Sequence, residues 1–451
     1  MTSLLRKIFL AFVTVTACWT SLQAQEAIDE TVRQVLPVSY EAIPFYSTDT
    51  TAALVRFHYR INQRFFIFIR NTTGASNFVA KGELMVELRD KQNIATGREI
   101  RQIVLLRDTQ PREDEQLPDI QGTITFQVPE DEYTLFVNID DKESGRKFID
   151  RNKRIVTRNP QQEILELSNP MFAQLTHSGN GESQTLITAA NRGTNALFGV
   201  TSGLVYQIFL PDNMTTKIRW RIQREGRFLT DWFQTFNGDQ YTLLRGGLSP
   251  SAPQEKAVYN VTQIENVNWK ILYIPLPIEK LDPGPWSIDL EISAGEKQIT
   301  KHYAFQVLWL NRPNALLNSQ LSIEALQHIA SEDEISNMQT GSLELNVKAF
   351  YEFWKKRDPD TTTAYNERMV EYYRRVDEAN KKFSTLGSPD GFQTDQGRIF
   401  ILYGEPTHTE KFIPPGEPPS EIWNYARFKK RFIFTDKFKN GNFVLIAAEN
   451  L

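Results

Sequence analysis

Short segments in which apolar and polar residues alternate dominate the first two thirds of the chain. In the segment ALVRFHYRI, one side carries Val55, Phe57, Tyr59 and Ile61, and the other carries Leu54, Arg56, His58 and Arg60. A period of two residues is typical of a half-buried β-strand, because successive side chains point to opposite faces. Similar segments follow at near-regular spacing, separated by turn-forming sequences such as NTTGASN and DKQNIATG. This pattern predicts a β-sandwich over residues 35–160.

A second β-rich block extends over residues 163–312. Its strand-like segments include TSGLVYQIFL, TKIRWRIQ, WKILYIPLPI and WSIDLEIS. Residues 281–300 align loosely with residues 128–147, since both stretches contain a proline turn, an aromatic residue, an alternating strand and a glycine turn. The likeness favours two copies of one Ig-like sandwich, although hairpins in general share these features.

Helical spacing replaces the alternation from residue 318 onward. The clearest helix has an apolar stripe at 4-3-4-3-4 spacing, formed by Tyr365, Met369, Tyr372, Val376, Ala379 and Phe383. The run RIFILY, residues 398–403, is apolar on both faces and predicts a buried strand. SEIWNY, KKRFIFTD and KNGNFVLI predict further strands. The expected architecture is multidomain and mostly β, with two sandwiches followed by an α+β domain over residues 318–451.

The first 24 residues have the layout of a secretory signal peptide. MTSLLRK is a short cationic start, IFLAFVTVTA is apolar, and SLQA ends in small residues. Two processing routes are open: cleavage after Ala24, which is favoured, or lipoprotein processing at Cys18, because VTAC resembles a lipobox. No later stretch reaches about 18 uninterrupted apolar residues, so no membrane span is expected after signal removal. We predict export to the periplasm, the outer membrane or the cell surface.

Composition excludes several classes of function. The chain has 51 Lys and Arg residues against 55 Asp and Glu residues. It therefore lacks the excess of positive charge that is typical of a nucleic-acid-binding protein. The single cysteine, Cys18, lies in the signal segment, so neither a disulfide nor a thiol nucleophile is expected in the mature protein. The histidines are dispersed, and the HExxH, GxSxG, Walker and GxGxxG motifs are missing. We therefore expect no metal, no cofactor and no catalytic residue of these types.

The stretch GFQTDQGRIFILYGEP, residues 391–406, carries the densest set of special residue types. Together with FWKKRDPD before it and with PSEIWNY and RFIFTDKFKNGNFVLI after it, this stretch resembles the GWxTD domain, a C-terminal module of exported bacterial proteins. The motif positions are Gly391, Phe392, Thr394, Asp395, Arg398, Tyr403, Gly404, Pro406 and Trp423. Phe392 stands where the family has tryptophan, so the apolar anchor is kept and the indole N–H donor is lost.

These motif residues have a structural interpretation. Gly391 permits a turn where a side chain would clash or where φ is positive. Thr394 and Asp395 can accept hydrogen bonds from backbone N–H groups of a turn, and Arg398 lies three residues from Asp395, within reach of its carboxylate. On this interpretation the motif specifies a fold.

The alternative interpretation is catalytic, because paired carboxylates perform acid–base and glycosidic chemistry. The candidate acids are Asp395, Glu405, Glu421 and Asp436. Since no catalytic motif is evident, we expect a binding or assembly role, with envelope proteins or glycans as partners. The alternative is a carboxylate-dependent hydrolase that acts on envelope glycans or peptides. The sequence leaves the oligomeric state open.

Overall fold

The structure is a computed structural model. It describes residues 37–47 and 52–451, except 73, 75, 113, 114, 116, 159–164, 179–183, 211–214, 225–234, 252–256, 263–268, 311 and 386. The predicted signal segment, with Cys18 and the predicted first residue Gln25, lies outside the described residues. The chain divides into two compact units, of which the first ends at Leu310. Within the described ranges, no helix has the length and apolar composition needed to cross a membrane.

The N-terminal part of the first unit is a β-sandwich. Its strands are β1 (Val38–Phe45), β2 (Ala53–Asn62), β3 (Ile69–Arg70), β4 (Phe78–Arg89), β5 (Ala95–Arg107), β6 (Asp119–Val128), β7 (Glu132–Asp141) and β8 (Lys147–Val156). One antiparallel sheet has the order β1-β2-β6, and the other has the order β3-β4-β7-β8 with β5 paired to β4. Apolar side chains from both sheets, including Val55, Phe57, Leu84 and Val137, form a common core.

A second sandwich completes the first unit. Its strands are β9 (Glu166–Leu167), β10 (Met171–Ser178), β11 (Gln184–Ala189), β12 (Asn195–Leu197), β13 (Gly203–Phe209), β14 (Thr216–Arg224), β15 (Thr235–Gly238), β16 (Thr242–Arg245), β17 (Gly247–Pro250), β18 (Val258–Thr262), β19 (Trp269–Pro275), β20 (Gly284–Ala294) and β21 (Lys297–Leu308). One sheet has the order β16-β19-β13-β10-β11-β18-β17, with β9 paired to β13, and the other has the order β12-β21-β20-β14-β15. Leu204, Trp286 and Ile288 belong to the core between them.

Strand β2 is buried on both faces, so the prediction of a half-buried strand was wrong. Ile43 and Phe45 of the neighbouring strand β1 share an apolar cluster with Val205 of the second sandwich. On the side of β2 that carries its polar residues, Arg56 and His58 are also buried. Alternation shows that one face of a strand is apolar, but it does not show whether another sheet covers the polar face.

The second unit is an α+β structure. Its helices are α1 (Ser319–Glu324), α2 (Glu332–Asn337), α3 (Leu343–Lys355), α4 (Glu367–Phe383) and α5 (Asp395–Tyr403), and its strands are β22 (His408–Phe412), β23 (Ser420–Tyr425), β24 (Lys430–Thr435) and β25 (Val444–Asn450). The strands form an antiparallel sheet in the order β22-β23-β24-β25. The predicted stripe on α4 is buried at Met369, Tyr372, Val376 and Ala379. These observations confirm the predicted multidomain, mostly β fold with a C-terminal α+β region.

The predicted strand at residues 398–403 was wrong, because these residues belong to helix α5. Thr394 caps the helix, since its Oγ1 accepts a hydrogen bond from the Gly397 N–H at 3.0 Å. Ile399, Phe400 and Ile401 are all buried. A helix that is enclosed on most sides shows no apolar periodicity in its sequence, and a short one then resembles a buried strand.

Candidate functional site

The signature residues of the second unit begin with a tight backbone contact. Residues Gly391–Gln393 form a 3-10 turn directly before α5. A Cβ atom at Gly391 would lie 2.3 Å from the carbonyl oxygen of Ala379, and a Cβ atom at Gly397 would lie 1.9 Å from that of Gly391. Both distances are far below van der Waals contact. Glycine is therefore required where this turn packs against α4 and against the first turn of α5.

Phe392 anchors the turn in the core. Its side chain has no exposed surface, its N–H donates to Asn380 Oδ1 at 3.0 Å, and its carbonyl oxygen accepts from His328 Nε2 at 2.9 Å. Burial lowers the pKa of His328, and the nearby Arg398 lowers it further, while the hydrogen bond to the Phe392 carbonyl opposes the shift. The position that names the family motif is thus a packing position in this chain.

Two polar signature residues connect the start of α5 to its surroundings. Thr394 Oγ1 donates to the Gly391 carbonyl at 2.7 Å, in addition to capping the helix. Asp395 Oδ1 accepts from Arg398 Nη2 at 3.0 Å, and Asp395 Oδ2 accepts from the Leu445 N–H at 2.9 Å. Asp395 therefore ties helix α5 to the last strand, β25.

The later signature positions form the other end of the same packing unit. Tyr403 contacts the rings of Tyr425 and Phe432, with centroid distances of 5.6 and 5.1 Å. Gly404 has φ 83°, a value that favours glycine, and its carbonyl accepts from the Tyr425 hydroxyl at 2.9 Å. The ring of Trp423 lies 4.8 Å from that of Phe434. Pro406, which follows the helix, is half-buried.

Each of the four candidate acids has partners within the chain. Glu421 is buried and accepts from Gln396 Nε2 at 3.0 Å and from Trp423 Nε1 at 3.1 Å, and it pairs with Lys411 at 2.7 Å. Asp436 accepts from the N–H groups of Asn440 and Gly441. The side chain of Glu405 is 79% exposed and lies 3.4 Å from Lys382 Nζ. Glu421 and Asp436 thus have the structural roles common for acids near turns and strand ends.

Asp395 and Glu405 are too far apart to act as a catalytic pair. Asp395 begins α5 and Glu405 follows its end, so the nine-residue helix separates them by about 13 Å at 1.5 Å per residue. Glycosidase carboxylate pairs lie about 5–9.5 Å apart. In the part of the chain that the structure describes, no hydrogen bond joins any two of the four acids, and no group of three or more acidic, histidine or cysteine side chains is placed to hold a metal ion.

The second unit has an exposed apolar surface that was not predicted from the sequence. Phe412 pairs with Ser420, Ser420 with Thr435, and Thr435 with Val444, so these residues form one row across the outer face of the sheet. The loops β22–β23 and β24–β25 lie at this end of the sheet and contain Ile413 and Phe438, which are 77% and 84% exposed. We call Phe412, Ile413, Val444 and Phe438 the loop-end patch. Single large apolar residues in the polar or proline-rich loops IPPGEPP and DKFKNGNF were the signal that could have revealed it.

Comparison with known families supports the resemblance. Residues 294–450 match the family model described as the GWxTD domain. This match begins before the predicted boundary at residue 318 and includes the last strand of the first unit. The search of curated proteins found no match.

Proposed function

We propose that this chain, which carries a GWxTD domain, is an exported cell-envelope protein that binds another protein through the loop-end patch of its second unit. The observation that carries the proposal is the exposure of Phe412, Ile413, Val444 and Phe438 at one end of a small sheet. Large apolar side chains exposed together at one end of a folded unit mark interaction sites, because leaving them in water is unfavourable.

The surroundings of the patch indicate what the partner carries. Ile422 and Ile433 pair with each other in the next row of the outer face and are half-buried, so the apolar surface continues along the sheet. Lys437 and Lys439 flank Phe438 and are exposed. A partner with an apolar centre and acidic groups at its rim suits this surface, since interfaces combine a buried apolar core with a polar rim.

The proposal can be tested with patch variants in the producing cell. A photo-crosslinking residue at position 438 should give a discrete adduct in envelope fractions. The double change Ile413→Ser and Phe438→Ser should abolish co-purification of the crosslinked partner, because both side chains are exposed and their removal leaves the core intact. Leu345→Ser is the matched control, since Leu345 of α3 is also exposed, at 59%, and lies outside the patch.

Two results would decide against a binding role. The first is that the double variant co-purifies with the same proteins as the wild type and has the same melting temperature. The second is an equal loss of the partner in the Leu345→Ser control, which would show that replacing any exposed apolar side chain with serine has this effect.

Export is part of the same proposal and rests on the N-terminal sequence. Mass spectrometry of the mature protein should find Gln25 as the first residue, cyclised or not. An acylated peptide that starts at Cys18 would instead make the protein an anchored lipoprotein. An intact Met1 in a cytosolic extract would refute export.

A further inference from the structure

Strand β5, at one edge of the first sandwich, carries exposed apolar side chains. Ile100, Val104 and Leu106 are 45%, 60% and 58% exposed. They lie on the outer face of the sheet, since the alternate residues Ile103 and Leu105 pack against the core between the sheets. Among the strands that the structure describes, β5 pairs with β4 alone. The other edge of β5 is therefore open to a further strand.

The opposite edge of the same sheet is protected against such pairing. Five consecutive polar residues, 150–154, fill the middle of β8. The pairing of β8 with β7 is also irregular, between Leu135 and Val137. Natural proteins use charged side chains and bulges to keep edge strands from pairing with other chains. In contrast, β5 pairs with β4 without a register shift over residues 97–107 and has four consecutive apolar residues at 103–106.

The sequence of β5 is complementary to itself in the antiparallel direction. If two copies pair across a two-fold axis at Ile103, Glu99 lies opposite Arg107 of the second copy. In the same register, Ile100 lies opposite Leu106 of the second copy. Symmetry makes each of these pairs occur twice. Opposite charges and apolar pairs directly across antiparallel strands stabilise a sheet.

Neighbouring registers are less favourable. An axis at Arg101 would bring the two copies of that arginine together, and like charges across a ladder are destabilising. An axis at Gln102 would pair no opposite charges. An axis at Ile100 would use residues 95–97, where the pairing of β5 with β4 is irregular. The axis at Ile103 uses only residues 99–107, which lie in the regular part of the strand.

The two charged residues of the proposed pair both reach solvent. The side chain of Glu99 is 46% exposed and lies 3.7 Å from Arg101 of the same strand. The side chain of Arg107 is 20% exposed and contacts Glu115. Neither ion pair encloses its members, so both side chains are accessible to a strand that approaches the edge.

We propose that two copies of this protein associate through β5, antiparallel and edge to edge, across a two-fold axis at Ile103. The dimer joins two sheets into one and covers the open edge of both copies. This contact lies in the first unit, whereas the loop-end patch lies in the second.

Sedimentation equilibrium of the protein of residues 25–451 tests the proposal and should show reversible dimerisation. Glu99→Arg and Arg107→Glu should each weaken dimerisation about tenfold, because two attractive cross-strand pairs become repulsive. An equimolar mixture of the two variants should dimerise as the wild type does, since the mixed dimer again places opposite charges across the axis. A wild-type protein that stays monomeric up to about 100 μM would overturn the proposal, as would a mixture no stronger than the single variants.

Cysteine crosslinking locates the contact without any change to Arg107. Residues 25–451 contain no cysteine, because the single one is Cys18. Under mild oxidation, a mixture of Ile100→Cys and Leu106→Cys proteins should form a disulfide-linked dimer. Ile100→Cys alone should not, since its two copies would lie about 20 Å apart along the strands at 3.3 Å per residue.

The matched control is a mixture of Ile149→Cys and Leu106→Cys proteins. Ile149 lies on β8 at the opposite edge and is 47% exposed, so its reactivity should resemble that of position 100. This mixture should remain uncrosslinked. Equal crosslinking in the control, or none between positions 100 and 106, would refute pairing through β5.

Discussion

Asp395 and Ile401 of helix α5 stabilise the second unit by different means. Asp395 is partly exposed and uses both carboxylate oxygens, one for Arg398 and one for the Leu445 N–H. Ile401 is 2% exposed and contributes apolar burial. If the signature specifies a fold, the loss of core volume should matter more than the loss of the charge.

Thermal and denaturant unfolding of two variants tests this ordering. Ile401→Ala should lower the free energy of unfolding by about 2–5 kcal/mol, the range for emptying a core aliphatic site. Asp395→Asn keeps the shape and weakens charge-assisted hydrogen bonds, so it should cost about 1–3 kcal/mol. An Asp395→Asn protein that is more stable than the wild type and has lost its cellular role would instead favour the catalytic alternative, because acids strained for catalysis often destabilise the fold.

His328 should make the stability of the second unit dependent on pH. Its pKa in the folded protein is lowered from the ordinary value of 6.5, chiefly by burial. The unfolded chain therefore binds the proton more readily than the folded one, and stability falls as the pH drops below about 6.5. Denaturant unfolding at several pH values between about 5 and 7.5 should show this loss.

A neutral replacement isolates the contribution of His328. His328→Gln keeps an N–H donor for the Phe392 carbonyl and cannot be protonated in this range. Its unfolding free energy should change less with pH than that of the wild type. Identical pH dependence in both proteins would show that other groups cause the effect.

At the level of elements, the sequence predicted the α4 stripe and the last three strands of the C-terminal sheet, but not strand β22 or helix α5. The apolar stripe at Met369, Tyr372 and Val376 could be recognised in the sequence because α4 also has a polar face. Helix α5 is short and buried on most sides. The consecutive apolar residues Ile399, Phe400 and Ile401 therefore show no helical periodicity in the sequence. The capping residue Thr394 and the acidic Asp395 in the first turn were the available evidence for a helix start.

The glycine turn before α5 should be intolerant of any side chain. In Gly391→Ala, the new methyl group would lie 2.3 Å from the Ala379 carbonyl, so the turn or α4 must shift. We expect a loss of about 1–3 kcal/mol, the range for overpacking. Chemical denaturation with circular dichroism measures it.

Gly387 offers a matched control four residues earlier in the same unit. The nearest described atom to a Cβ at this position is Asn440 Nδ2, at 4.0 Å. Gly387→Ala should therefore be neutral or slightly stabilising. Equal losses in both variants would show that steric contact at Gly391 is not the cause.

The candidate site was only partly predictable for a related reason. The signature residues were identified by resemblance, and their polar partners lie far away in sequence: Asp395 bonds to Leu445, and Phe392 bonds to His328. The loop-end patch depends on strand register, which brings the loop containing Ile413 to the same end of the sheet as the loop containing Phe438. Alternation predicts strands, but it does not predict which strand ends meet.

At the level of the whole molecule, the two sandwiches of the first unit have separate cores and a shared boundary. Val55 and Phe57 of β2 belong to the first core, while Ile43 and Phe45 of β1 pack against the second sandwich. At the same boundary, His58 Nδ1 is 3.1 Å from Glu41 Oε1, and His58 Nε2 contacts the Tyr259 hydroxyl. The domain limits 35–160 and 163–312 remain predictions. Because the two sandwiches share this boundary, a test of the limits must compare one sandwich alone with the two together.

A fragment of residues 35–160 should fold alone but should be less stable than the same residues within 25–310. It retains its own core, so its circular dichroism spectrum should be of the β type. Without the second sandwich, Ile43 and Phe45 become exposed to water, and burial of one such side chain contributes about 1.5–3 kcal/mol to the free energy of unfolding. Its melting temperature should therefore be lower, and a separate 163–310 fragment should raise it. A fragment that stays unfolded would show that both sandwiches form one folding unit, and one that melts with the 25–310 protein would show that the shared cluster contributes little.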